Sequence, residues 1–353
     1  QELFYNPSAV YQSAREVRVQ LETARTQVEQ VLGTNTKEII FTAGGTEANN
    51  IAVHSLLSQF NDAHCVVSAI EHESVLEPAH QYNSTIVPVS KNGLVSVESV
   101  MYAITEKTVL VSIMYANNEI GTIQPIKDIV AAVAVIRADR LKNGNKRPIY
   151  VHTDACQAAN YLDIQVQRLG VDMMTLNGGK IYSYKQSGCL YVRTGIELKP
   201  FMFGGGQEHH IRSGTENTPA IIAFATMLQK VQKRKKSEIQ RLKQMRNDII
   251  ATLSQIDNVK VNGDTVKRLP NNINVTIADA DGVRLVMELA EAGLMVASGS
   301  ACSARNDQPS HVLLALGHTN TEASASLRIT LGAPLSEKET SRINEILRSV
   351  IST

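Results

Sequence analysis

Along the first half of the chain, short unbroken apolar runs alternate with stretches whose apolar positions recur at helical spacing. Cys65–Ser68, Thr85–Val89, Val109–Ile113, Ile149–His152 and Met173–Leu176 are such runs. A strand that is apolar on both sides has to be covered on both faces, which predicts a largely parallel sheet between helices. Glu38–Thr42 reads as a further strand, running through Ala43-Gly44-Gly45-Thr46-Glu47 into a helical stretch: half of a strand–helix–strand unit. Gly188–Val192 is another strand, with an antiparallel direction open to it. Ahead of them all, Ser8–Leu32 has helical periodicity, with Ser8 as its expected cap and Gly33 as its stop.

The pattern changes in the second half. From Glu216 to Ile256 it is helical and heavily charged, which suits a long connector between domains. Beyond it lie short strands at Ile273–Ile277 and Leu327–Thr330, with helical stretches at Gly282–Ala292, Pro309–Leu316 and Glu337–Ile351. The expected fold class is therefore α/β: a large domain over 1–235 around a mostly parallel sheet of the seven-stranded type, and a smaller α+β domain over 236–353. A length of 353 residues agrees, since it exceeds what one core usually supports. There is no internal repeat or low-complexity tract.

Composition narrows the function classes. Hydrophobic residues make up 43% and charged residues 20%, as in an ordinary soluble globular protein. A formal net charge of +1 gives no field for nucleic acid or an acidic membrane. The basic run Lys233-Arg234-Lys235-Lys236 reads as a solvated helix face. No stretch approaches the ~20 apolar residues of a membrane span. The N-terminus has no basic segment followed by an apolar one, so a secretory signal is not expected. The four cysteines, Cys65, Cys156, Cys189 and Cys302, lie far apart with no C-x-x-C pair. That weakens the zinc and dithiol readings, leaves no metal expected, and suits a reducing cytoplasm.

Four segments carry candidate chemistry, and three of them stand at strand ends, where parallel sheets bind ligands. Gly44-Gly45-Thr46 joins a strand to a helix, so bare backbone N–H groups and a hydroxyl could hold a phosphate; a plain tight turn is the alternative. Asp154, in His152–Gln157, would need a cationic partner such as a pyridinium, or would cap the next helix. Lys180, after Asn177-Gly178-Gly179, could form a Schiff base with a carbonyl cofactor, with burial lowering its pKa; otherwise it is a solvated lysine. Cys302, in Ala297–Ala304, stands among small residues that suit a reactive thiol. Cys65 and Cys189 fall inside apolar strands and read as inert core, and Cys156 reads as a small packing residue.

The segments Ala43–Asn50 (AGGTEANN), Ile70–Val75 (IEHESV), Ala116–Gly121 (ANNEIG), His152–Gln157 (HTDACQ), Gly178–Tyr182 (GGKIY), Phe203–Glu208 (FGGGQE), Ile211–Asn217 (IRSGTEN), Ser298–Ser303 (SGSACS) and Ser326–Gly332 (SLRITLG) occur in order along nearly the whole chain. Together they resemble the cysteine desulfurases of the class V aminotransferase family, fold-type I pyridoxal-phosphate enzymes. The resemblance implies pyridoxal 5'-phosphate held by Lys180, with Asp154 on the pyridine nitrogen and Gln157 on the ring hydroxyl. It implies His72 stacked on the ring and helping to move protons. Gly45 and Thr46 would bind the phosphate, with Asn177 in a phosphate-contacting position. Asn117 would lie near ring and substrate, and Arg328 would clamp the carboxylate of L-cysteine. Cys302, on a loop of the long-loop subgroup, would take the sulfur and pass it to a scaffold or relay protein. Thr215 would reach the phosphate of the other subunit, so a homodimer is implied.

The sequence departs from the family at three places. Asn177 stands where serine is usual, and Gly179 where histidine is, both phosphate contacts. Tyr115 precedes the ANNEIG motif where histidine is common. The family's N-terminal Asn-Ala-Ala-Thr-Thr segment and the C-terminal extension of some members are not in this sequence. The rival expectations are a selenocysteine lyase or other aminotransferase-fold enzyme, and a non-catalytic regulatory homologue with a weakened cofactor grip.

Overall fold

The computed structural model describes residues 4–298, 308–332 and 337–352. Its chain forms two compact units. The first holds residues up to Val87, Val97–Tyr115 and Pro125–Lys235; the second holds Pro88–Ser96, Ala116–Gln124 and the chain from Lys236 on. The expectation of a single break near residue 235 is thus corrected in one respect. Two excursions from the first half, Pro88–Ser96 and Ala116–Gln124, fold with the second unit.

The first unit is built on a seven-stranded sheet. Its strands are β1 (Ile39–Thr42), β2 (His64–Ser68), β3 (Asn83–Val87), β4 (Thr108–Ser112), β5 (Tyr150–Asp154), β6 (Met173–Asn177) and β7 (Gly188–Val192). They lie in the order β1-β7-β6-β5-β4-β2-β3. Pairings among β2 to β6 are parallel, and β7 alone runs against its neighbours β1 and β6. Continuous apolar strands do become doubly covered: every residue of β1, β2, β4 and β7 is buried. One covering layer packs Ala48, Ile51, Ala52 and Leu56 against Ile40, Val67 and Leu110. The carboxyl ends of β1, β2, β5 and β6 therefore face the same edge, and the candidate segments follow them.

Local punctuation differs from the sequence reading in two places. The first helix begins at Gln12, with Tyr11 and not Ser8 at its cap, while Gly33 ends it in left-handed backbone at φ +65°. β3 ends at Val87, because Pro88 has no N–H to extend the ladder.

The helix Thr218–Leu253 carries the chain into the second unit. There β8 (Val259–Val261), β9 (Asn272–Ile277), β10 (Ala297–Ser298) and β11 (Ser326–Thr330) form an antiparallel sheet ordered β10-β11-β9-β8. The helix Gly282–Glu291 is capped by Asp281, whose carboxylate accepts from the backbone N–H of Val283 and Arg284. Cys302 lies outside the described residues.

Candidate active site

After β1 the chain turns at Gly44, whose φ of +136° only glycine adopts readily, and a helix starts at Gly45. A Cβ on Gly45 would stand 2.8 Å from Cys156 Sγ and 3.3 Å from Asn177 Nδ2. Only a bare backbone fits there, so the first-turn N–H groups stay open for an anion. Thr46 beside it is exposed. Asn177, at the end of β6, accepts a hydrogen bond from Gly179 N–H at 3.0 Å through Oδ1, which leaves its amide nitrogen on the Gly45 side.

Asp154 ends β5 and is 7% exposed. Its Oδ1 accepts from Cys156 N–H at 2.9 Å and its Oδ2 from Asn49 Nδ2 at 2.8 Å. Two donors and a nearly dry setting hold a carboxylate in one rotamer, available to a cationic partner. Cys156 packs between this carboxylate and Gly45, and burial, then the Asp154 charge, holds its thiol well above the usual range. The charge of Lys180 acts on Cys156 in the opposite sense, lowering its pKa, and is outweighed by burial and Asp154. Gln157 is half-buried on the turn that follows.

Lys180 closes a short turn, Gly178–Lys180, directly after β6, and its carbonyl accepts from Asn160 Nδ2 at 2.6 Å. The side chain is exposed. Position at a strand end is what distinguishes it from other surface lysines.

His72 caps the helix Glu73–His80. Its Nδ1 accepts from Ser74 N–H at 3.0 Å and lies 2.8 Å from Ser74 Oγ. Glu71, the residue before it, is fully buried, takes Ser68 Oγ–H at 2.5 Å and Met114 N–H at 2.8 Å, and is pushed by burial up to about 8.

The loop that should present Thr215 is held by its neighbours. Arg212 Nε donates to Glu47 Oε1 at 2.6 Å, Gly206 N–H to Ser213 Oγ at 3.2 Å, and Gly214 N–H to Gln207 Oε1 at 2.9 Å. Thr215 itself is exposed. Asn117 and Arg328 belong to the second unit. Asn117 is fully buried and its Oδ1 accepts from Glu119 and Ile120 N–H, at 2.8 and 3.0 Å. Arg328 is half-buried on β11, opposite Ala297 and Asn274.

Sequence reasoning missed Asn49, Ser74, Glu119 and Ser310. Ser310 Oγ donates to the buried Glu119 carboxylate at 2.5 Å and caps the helix His311–Ala315. Asn49 had one signal: an amide on a helix face otherwise filled by Ala48 and Ala52.

The implied cofactor, pyridoxal phosphate, fits these residues. A glycine cradle that a Cβ would fill would offer a phosphate backbone donors, and a fixed carboxylate and a strand-end lysine have the chemistry that a pyridine nitrogen and a carbonyl would need.

Residues 2–343 match the family described as aminotransferase class-V, and the chain belongs to that family. Among its relatives is a protein of Archaeoglobus fulgidus named cysteine desulfurase IscS 1, 38% identical over 99% of this chain and 90% of its own. Another, from Dictyoglomus turgidum and named cysteine desulfurase IscS, is 36% identical over 99% and 88%. Of solved structures, a NifS-like protein superposes with a TM-score of 0.89 at 28% identity, over 100% of this chain and 93% of its own. A structure titled SspA in complex with cysteine gives 0.79 at 31% identity, over 94% and 92%.

Proposed function

We propose that the chain is a pyridoxal-phosphate-dependent cysteine desulfurase, which converts L-cysteine to L-alanine and leaves the sulfur on Cys302 as a persulfide. The observation that carries the reading is the Asp154 carboxylate, fixed by Asn49 and Cys156 beside the Gly45 cradle and the Lys180 turn. The desulfurase names of the relatives, and the bound cysteine of one structural neighbour, support the substrate.

Pyridoxal phosphate, when bound, supplies a carbonyl for an amine and an electron sink for the α-carbon of the substrate. Asp154 keeps the pyridine nitrogen protonated. Gly45, Thr46 and Asn177 hold the phosphate through backbone and amide N–H groups, Gln157 meets the ring hydroxyl, and Asn117 orients the ring and substrate. Lys180 Nζ takes the proton from the α-carbon of cysteine. Arg328 pairs with the substrate carboxylate in two parallel hydrogen bonds. The Cys302 thiolate attacks the substrate sulfur: an S–S bond forms and the C–S bond breaks. The electron pair of the broken bond stays with the carbon skeleton, which takes up one proton at the β-carbon, regains one at the α-carbon from Lys180, and leaves as alanine. The persulfide then passes to an acceptor protein.

A homodimer belongs to the same reading. On the first unit Tyr182, Tyr184 and Phe203 are 57%, 64% and 85% exposed, near the Lys180 turn and the Thr215 loop in sequence. Exposed aromatic side chains of that kind favour burial against a second copy. The compartment proposed is the cytoplasm. Cys65, Cys156 and Cys189 are free thiols, and no helix among the described residues is long and apolar enough to cross a membrane.

The test is spectroscopic. The purified chain with pyridoxal phosphate should show a yellow absorption band that shifts on adding L-cysteine. Borohydride should fix the cofactor to Lys180, and Lys180→Ala should lose the adduct. An adduct that maps to another lysine overturns the assignment. Sedimentation should give a dimer at concentrations where the enzyme is active.

A further inference from the structure

Asp154 and His72 are joined by a path of hydrogen bonds inside the first unit. Asn49 Nδ2 donates to Asp154 Oδ2 at 2.8 Å and to Ser74 Oγ at 2.8 Å. One amide nitrogen carries two hydrogens, so it makes both bonds at once. The opposite orientation of the amide would set its oxygen against a carboxylate that only accepts, so chemistry fixes the assignment. Asn49 Oδ1 is left buried without a partner among the described residues.

The direction of the next bond follows. Ser74 Oγ accepts from Asn49, so its own hydrogen is free to donate, and His72 Nδ1 stands 2.8 Å away. The backbone N–H of Ser74 donates to the same Nδ1 at 3.0 Å. A ring nitrogen that receives two donors carries no proton, so the neutral ring carries its proton on Nε2. Asn49, Ser74 and Asp154 are 1%, 7% and 7% exposed, so water does not compete for these bonds.

We propose that Asn49 is a positioning residue whose single amide fixes the Asp154 carboxylate and, through Ser74, locks neutral His72 as the Nε2–H tautomer. His72 then presents a hydrogen-bond donor and not a lone pair, and removal of the α-proton falls to Lys180. The roles of Asp154 and His72 rest on the desulfurase reading, whereas the tautomer rests on the hydrogen bonds alone.

The experiment uses the full-length chain. Nitrogen-15 chemical shifts of His72 at neutral pH should show Nδ1 bare and Nε2 protonated, with and without pyridoxal phosphate. Asn49→Ala should weaken pyridoxal phosphate binding about tenfold, the effect of one hydrogen bond to a charged group. Ser74→Ala should alter the His72 shifts, and Ser74→Thr, which keeps the hydroxyl, should restore them. A neutral His72 protonated on Nδ1 overturns the tautomer, and Asn49→Ala binding as tightly as wild type overturns the positioning role. A wild-type chain that binds no pyridoxal phosphate would instead sink the desulfurase reading, and the tautomer measurement would stand apart from it.

Discussion

Arg25 and Glu208 form an ion pair inside the first unit: Nη2 meets Oε1 at 2.7 Å, with side chains 8% and 3% exposed. Glu208 Oε2 also accepts from Phe41 N–H at 2.7 Å, and the Arg25 guanidinium lies 4.6 Å above the Phe41 ring. The pair thus ties β1, just before the Gly44 turn, to the glycine-rich segment before Arg212–Thr215. It also holds left-handed backbone at three successive residues, Glu208, His209 and His210, at φ +44°, +58° and +63°. Each such residue costs about 1–2 kcal/mol. Removing one partner leaves a buried charge alone, so Glu208→Ala should destabilise the chain by about 3–5 kcal/mol. The readout is the urea midpoint, and an unchanged midpoint would count against the pair as the anchor of this turn.

Cys302 should be the reactive thiol of the chain. Cys65, Cys156 and Cys189 are buried, and burial pushes the Cys65 thiol up to about 12 and raises the Cys156 and Cys189 thiols as well. Native protein should therefore take up one equivalent of a thiol reagent rapidly, at Cys302. Cys302→Ser should keep the cofactor band and its response to cysteine, yet form no persulfide. Full sulfur transfer by that variant would remove Cys302 from the mechanism.

Gly179→His should slow cofactor loss during turnover. A Cβ at Gly179 would meet nothing nearer than Asn177 Oδ1 at 3.5 Å, so the backbone accepts a side chain there. The added hydrogen bond to phosphate is worth about 1.5–3 kcal/mol, or roughly 10- to 100-fold in retention. The gain should be largest once substrate has displaced Lys180, when the cofactor is held without a covalent bond. Equal release from wild type and variant would mean that other contacts, Asn177 among them, already supply that grip.

Stability should fall as pH rises from about 6.5 to about 8, through Glu71. Burial raises its carboxyl from 4.5 to about 8, so between those values the folded chain binds a proton that the unfolded chain does not, and rising pH destabilises. Burial lowers His152 from 6.5 to about 4, so across that window the unfolded chain binds the extra proton, and rising pH stabilises. The two oppose each other below 6.5, and above it Glu71 acts without His152. Glu71→Gln keeps an acceptor for Ser68 and Met114 and should flatten the fall in urea midpoint. An equally steep fall in that variant would assign the slope to other groups.

Strand content, the glycine turn at Gly44-Gly45 and the placing of Asp154 and Lys180 at strand ends could be read from residue order, because burial on both faces and the left-handed turn act locally. The sequence alone also carried the family, since its motifs keep their order over nearly the whole chain. Other features depend on residues far apart in the chain. Nothing near Asn49 announces Asp154, 105 positions away, or shows that one amide would also meet Ser74. Arg25 and Glu208 are 183 positions apart, and neither gives a sign of burial until β1 brings them together. The excursions Pro88–Ser96 and Ala116–Gln124 look like loops of the first half, yet their contacts are with residues from the second. The apolar strand before Lys180 does not tell whether its side chain is covered, and the turn after that strand leaves it exposed. Local sequence sets backbone conformation and which faces are apolar, whereas the pairing of buried polar groups is decided only when the sheet closes and each donor must find an acceptor.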